Sequence, residues 1–92
     1  MSKTQIVTND KKLLVLVYPN PAQDSVTIQY TNMPHTAQMY VYDLQGKELK
    51  KDTVQQGDSS VHIDTSIFAA GMYIVVTKLD GVFINQQKLI IN

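Results

Sequence analysis

Two histidines, His35 and His62, are the side chains here whose ordinary titration range spans neutral pH. A general base or a zinc site would need one of them beside a nucleophile or a second ligand. They stand far apart and form no His-x-x-x-His pair. His35 follows Pro34 in a connecting stretch. His62 lies between Val61 and Ile63, where alternation points it outward. The chain holds no Cys, which removes a thiolate nucleophile, a disulfide framework and a Cys-ligated zinc. A Ser–His–Asp set can be assembled from any small protein's inventory, so these residue types alone do not argue for hydrolysis. Asp43, Asp58, Asp64 and Asp80 all fall at turns. Calcium between sandwich loops is one reading of them, but the dense Asp/Asn ladder of a dedicated site is missing, and turn chemistry accounts for each. Five Tyr and two Phe invite a sugar-stacking platform. Tyr30, Tyr40, Tyr42 and Tyr73 all read as strand residues, where aromatics pack well, and there is no Trp. The four glycines are scattered and form no phosphate loop. The expectation is a module without catalytic residues, metal or cofactor.

The segments around these residues are short and alternate. Leu13-Leu14-Val15-Leu16-Val17-Tyr18 is too short for a helix and reads as a strand covered on both faces. Pro19-Asn20-Pro21 ends it, because two ladder donors are lost and Asn20 is held extended by the proline that follows. A half-buried strand is expected from Ser25 to Thr31, then a connection over Asn32-Met33-Pro34-His35, then a strand with Ala37, Met39 and Val41 inward. Asp43-Leu44-Gln45-Gly46 has the order of a type I turn. The polar run Lys47–Val54 suits an edge strand. Gln56-Gly57-Asp58-Ser59 reads as an open loop, and Val61 and Ile63 mark a short strand. Asp64-Thr65-Ser66 offers cap-type side chains before Ile67-Phe68-Ala69-Ala70, which predicts one helical turn dipping into the core. Gly71 ends that turn at positive φ. Met72–Lys78 is a strong strand, and Asp80-Gly81 predicts a two-residue type I′ hairpin into Val82–Ile91. Strict pairing across that hairpin would set Tyr73 and Val75 on the face of Lys88 and Gln86, so a bulge or sheet change is expected near Asn85-Gln86-Gln87. Seven strands at this spacing predict an all-β, immunoglobulin-like antiparallel sandwich.

The 92 residues allow one domain: a linker or tail over residues 1–12 and a sandwich over 13–92. All eight basic residues are Lys, and they balance eight acids to a net charge of zero. That argues against nucleic acid and against a polybasic membrane contact. No apolar stretch reaches the ~20 residues of a transmembrane helix, and the first residues lack the apolar core of a signal peptide.

One ordered series remains: Val17-Tyr18-Pro19-Asn20-Pro21, Val41-Tyr42-Asp43-Leu44-Gln45-Gly46-Lys47, Ile63-Asp64-Thr65-Ser66, Ala70-Gly71-Met72-Tyr73 and Lys88-Leu89-Ile90-Ile91. It resembles the type A C-terminal sorting domain of the type IX (Por) secretion system of Bacteroidota, from about Val15 to Asn92. Phe68 is bulkier than the usual aliphatic of that family. The resemblance implies a secretion address on a cargo domain lying N-terminal to it. It implies passage through the periplasm, recognition by the outer-membrane type IX translocon, and often cleavage on the N-terminal side by a sortase-like cysteine peptidase, with the cargo ending at the cell surface or outside the cell. Pro19, Asn20, Pro21, Asp43, Gly46, Asp64, Gly71 and Tyr73 read as structural motif residues. Lys88, Leu89, Ile90 and Ile91 are the candidate recognition element, since a terminal strand's edge can pair with another chain. The rival reading is an immunoglobulin-like adhesion or carbohydrate-binding module of a surface protein.

Overall fold

A computed structural model describes residues 12–92. The tail expected over residues 1–10 therefore lies outside the described residues. Seven strands follow one another: β1 (Leu14–Tyr18), β2 (Ser25–Met33), β3 (Ala37–Tyr42), β4 (Glu48–Val54), β5 (Gly57–Asp64), β6 (Gly71–Leu79) and β7 (Val82–Ile91). They form two antiparallel sheets, a three-stranded one in the order β1-β2-β5 and a four-stranded one in the order β4-β3-β6-β7. This is an immunoglobulin-like sandwich. Its fourth strand sits beside β3 rather than completing the smaller sheet as in constant domains.

Alternation sets the core. Val26, Ile28 and Tyr30 of β2 face Met39 and Val41 of β3, Val61 and Ile63 of β5, Tyr73 and Val75 of β6, and Leu89 and Ile91 of β7, all buried. One polar pair lies among them: the Tyr30 hydroxyl and Thr77 Oγ1 are 2.7 Å apart, and both residues are fully buried. Each satisfies the other, which removes the desolvation penalty an unpaired hydroxyl would carry there. The Asp80-Gly81 turn has φ of 52° and 80°, as a type I′ hairpin requires. β4 is an edge strand with its lysines exposed.

Several expectations change. β1 is not covered on both faces. Val15 and Val17 pack against the core, whereas Leu14, Leu16 and Tyr18 are exposed on the outer face of the smaller sheet. An all-apolar run signals one buried face but does not report whether anything packs on the other. β2 runs on to Met33, with a register shift between Tyr30 and Met33 where Asn32 takes a positive φ. The segment after Asp64 is not a helical turn. Asp64 Oδ1 instead accepts hydrogen bonds from the Ser66 N–H and hydroxyl, Phe68 N–H donates to the Thr65 carbonyl, and Ile67 points into solvent. The bulge falls at Ile84, one residue before the expected stretch: Lys78 pairs with Phe83 and Thr77 with Asn85, leaving Ile84 unpaired. That single insertion puts Leu89 opposite Tyr73 and Ile91 opposite Gly71, on the core side.

Gly57 is not in an open loop. It begins β5, pairs with Met33 and has φ +86°. Gly71 begins β6 with φ +152°, and a Cβ at either glycine would meet nothing within 4 Å. The cost of a side chain is therefore backbone strain alone. Gly57→Val and Gly71→Val are each expected to lower stability by ~1–3 kcal/mol, measured by urea denaturation. A midpoint unchanged from wild type for either would show that its backbone relaxes.

Candidate functional site

All five signature segments meet at one pole of the sandwich. β1, β3, β5 and β7 end there, and β2, β4 and β6 begin there, because Tyr18 pairs with Thr27, Ser25 with Asp64, Tyr42 with both Glu48 and Ile74, and Gly71 with Ile91. The opposite pole holds the start of β1, where Asn32 Nδ2 donates to the Lys12 carbonyl at 3.1 Å, and the Asp80-Gly81 hairpin.

Each segment is tied in locally. Asp43 Oδ1 accepts from the N–H groups of Gln45 and Lys47, both at 2.9 Å, while Gly46 N–H donates to the Asp43 carbonyl at 3.1 Å. The turn carboxylate is thus occupied by its own backbone, as an Asx turn requires. The Tyr73 hydroxyl donates to the Ala69 carbonyl. It sits at the start of β6 and bonds back to the preceding corner, the arrangement called a tyrosine corner in immunoglobulin-like folds. The Phe68 ring leans on it, with centroids 5.7 Å apart. Thr65 is fully buried; its N–H donates to the Asp24 carbonyl and its hydroxyl to the Gln23 carbonyl, pinning this corner to the start of β2. Bonds from the Ser66 side chain and then its N–H hold the Asp64 carboxyl below its ordinary range. Between these turns lies an open hollow of about 390 Å³ whose lining includes Asp43, Leu44, Gln45, Ile67, Phe68 and Met72.

The two ends of the series are bonded to each other. Asn20 Nδ2 donates to the Lys88 carbonyl at 2.9 Å, and the Ile90 N–H donates to Asn20 Oδ1 at 3.0 Å. Two residues on, Ala22 N–H donates to the Ile90 carbonyl at 2.7 Å, and Asn92 N–H donates to the Ala22 carbonyl at 2.8 Å. Ala22 and Ile91 form a parallel bridge. The chain thus crosses from the smaller sheet to the edge of the larger one over Pro19-Asn20-Pro21. The Asn20 carboxamide occupies the place of a neighbouring peptide group. The edge of β7 over Lys88–Asn92, expected to be free for strand addition, is closed. Leu89 and Ile91 are core residues with 0% and 3% exposure, so only Lys88 and Ile90 of the candidate element face solvent. Sequence reading missed Ala22, which is fully buried against Ile91. Its one signal is a small apolar residue directly after the second proline.

Asn20→Ala should free the Lys88 carbonyl and the Ile90 N–H together, costing ~1–3 kcal/mol for two hydrogen bonds. Amide exchange at Ile90 is expected to accelerate well beyond that at Leu89. Unchanged protection at Ile90 would show that the carboxamide is dispensable.

His35 and His62 are brought neither together nor to a carboxylate. Both are exposed, His35 in the bend between β2 and β3 and His62 within β5, and His62 Nδ1 is 2.9 Å from Thr27 Oγ1. Among the described residues no three of His, Cys, Asp or Glu gather where they could hold a metal ion.

The geometry defines an immunoglobulin-like sandwich whose distinctive residues build one structured pole. The chain belongs to the secretion system C-terminal sorting domain family, whose model matches residues 16–92, and so carries a C-terminal sorting signal for type IX secretion of an exported protein. It is similar to an ulvan lyase from Nonlabens ulvanivorans, with 33% identity over 92 residues. The match covers 99% of this chain and 17% of that relative's length. No solved structure matches the chain. Family membership places the destination outside the cell or at the cell surface.

Proposed function

We propose that residues 13–92 form an address that the outer-membrane type IX translocon recognises at the signature pole, and that residues 1–12 connect it to a cargo domain. Transit is through the periplasm, and a sortase-like cysteine peptidase cuts on the N-terminal side of the sandwich. The domain itself performs no catalysis. The observation that carries this reading is the convergence of five sequence-distant segments on one pole. The opposite pole carries none of the five segments. β1 starts at the far pole, which leaves the signature pole unobstructed by a cargo attached ahead of it. Lys88 and Ile90 are the outward recognition residues; Leu89 and Ile91 support them from the core.

A reporter with its own inner-membrane signal peptide, fused ahead of this chain in a type IX-competent host, tests the reading. The reporter should reach the surface or medium, and should stay in the periplasm when the chain is omitted. Equal export without the chain would sink the address reading. The adhesion or carbohydrate-binding alternative would be favoured if the fusion stayed in the periplasm while the purified chain bound glycans on an array.

A further inference from the structure

The outer face of the four-stranded sheet differs from that of the smaller sheet. Register places Lys51, Tyr40, Val76 and Gln86 in one row across it, and Glu48, Tyr42, Ile74 and Lys88 in the next. Met72 and Ile90 extend the apolar part toward the signature pole. Tyr40 and Tyr42 stack with centroids 5.9 Å apart and planes 15° from parallel. Lys78 Nζ lies 4.9 Å from the Tyr40 ring centre and 5.0 Å from that of Phe83, and Lys51 Nζ lies 5.5 Å from Tyr40. These cation–π contacts hold two ammonium groups against the aromatic surface rather than leaving them to sweep through solvent. With Lys88, three lysines surround an aromatic and aliphatic centre, and Glu48 is the one acid in the register rows. Apolar centre and charged rim are the anatomy of a protein–protein interface. The face is also continuous with three signature segments, through Tyr42, through Met72, and through Lys88 and Ile90. Because Asn20 and Ala22 close the β7 edge, a partner that reads the terminal strand must approach this face and not the edge.

We propose that this face, from the Tyr40–Tyr42 stack across Ile74 to Lys88 and Ile90, with Val76 buried beneath it, is a docking surface for an acidic protein surface of the export machinery. This rests on the sorting reading and extends the recognised surface from the signature pole along this face. The lysines supply steering and orientation, which charge complementarity governs more than it governs affinity. Met72, Ile74 and Ile90 form an apolar strip beside the two tyrosines, which a protein partner can cover with apolar side chains of its own while its acids meet the lysines.

The reporter fusion provides the test. Lys51→Glu/Lys78→Glu reverses two rim charges without touching the core or the signature turns. Lys12→Glu/Lys50→Glu makes the same change in net charge away from this face. The prediction is that the first variant melts within a few degrees of wild type, yet exports at least tenfold less reporter, which collects in the periplasm. The second should export like wild type. Equal export by both would overturn the docking surface while leaving the sorting reading intact. Failure of the unmutated fusion to export would instead count against the sorting reading itself. A second measurement uses a sulfated polysaccharide column with the purified chain. Retention that Lys51→Glu/Lys78→Glu abolishes, with export undiminished, would make the face a polyanion site and overturn the protein partner.

Discussion

Deleting Lys88–Asn92 is expected to abolish cooperative folding, whereas Lys88→Ala melts close to wild type. The deletion removes Leu89 and Ile91, both in the core, and the backbone partners of Tyr73, Met72, Asn20 and Ala22. Emptying a buried Leu or Ile position costs ~2–5 kcal/mol each. The lost ladder adds to that, and a domain of this size has only ~5–15 kcal/mol in total. Lys88, by contrast, is exposed, and removing an exposed side chain changes stability by under ~0.5 kcal/mol. Thermal melts followed by circular dichroism separate the two variants. A cooperative transition retained after the deletion would mean that β7's last residues are peripheral to the fold. The functional counterpart uses Lys88→Ala alone, since the deletion confounds folding with recognition. If the lysine is read, the Lys88→Ala fusion should accumulate in the periplasm. Surface delivery equal to wild type would make Lys88 incidental and shift attention to Ile90 and the turns around Asp43 and Gly71.

The second large effect is expected at the Tyr30–Thr77 pair. Tyr30 is the largest fully buried side chain, so Tyr30→Ala should cost ~3–5 kcal/mol, in the range of other large aromatic truncations. Thr77→Val keeps the shape but leaves the Tyr30 hydroxyl without a partner, at ~1–3 kcal/mol. The double variant Tyr30→Phe/Thr77→Val removes both polar groups and should recover most of that loss. A double variant as unstable as Thr77→Val would show that the pair is not coupled. The same residue sets an alkaline limit. Burial pushes the Tyr30 phenol above its ordinary value of 10.0, opposed in part by the Thr77 bond. The folded state therefore holds a proton that the unfolded state releases first. This contribution is fully present below pH 10 and is lost as pH rises through the folded value. Urea midpoints above pH 10 should fall in wild type more steeply than in Tyr30→Phe.

Much of the fold was legible because strands advertise themselves by period. Val26, Ile28 and Tyr30, and Ala37, Met39 and Val41, alternate cleanly and are buried as that alternation implies. Asp43-Gly46 and Asp80-Gly81 carry turn chemistry that acts within four residues, so local sequence suffices. The errors fall where the deciding contact is distant. Gly57 reads as loop because its polar neighbours show no period, yet pairing with Met33 makes it strand. Asp64-Thr65-Ser66 has cap-type side chains, but Thr65 spends its groups on Gln23 and Asp24, and no helix follows.

The candidate site divides along the same line. By itself the sequence determined the all-β class, the turn residues and the ordered series that marks the family, because each is a short-range pattern of residue types. Tertiary structure decided that the five segments share one pole, since that depends on which strands run antiparallel beside which. It also decided that Ile84, and no neighbour, absorbs the odd residue of the β6–β7 pair, as parity requires a slip without locating it. It decided, finally, the role of Asn20. A carboxamide between two prolines has no local partner, and its two hydrogen bonds go to Lys88 and Ile90 at the far end of the chain, a pairing set only when the segment after β1 crosses to the edge of β7.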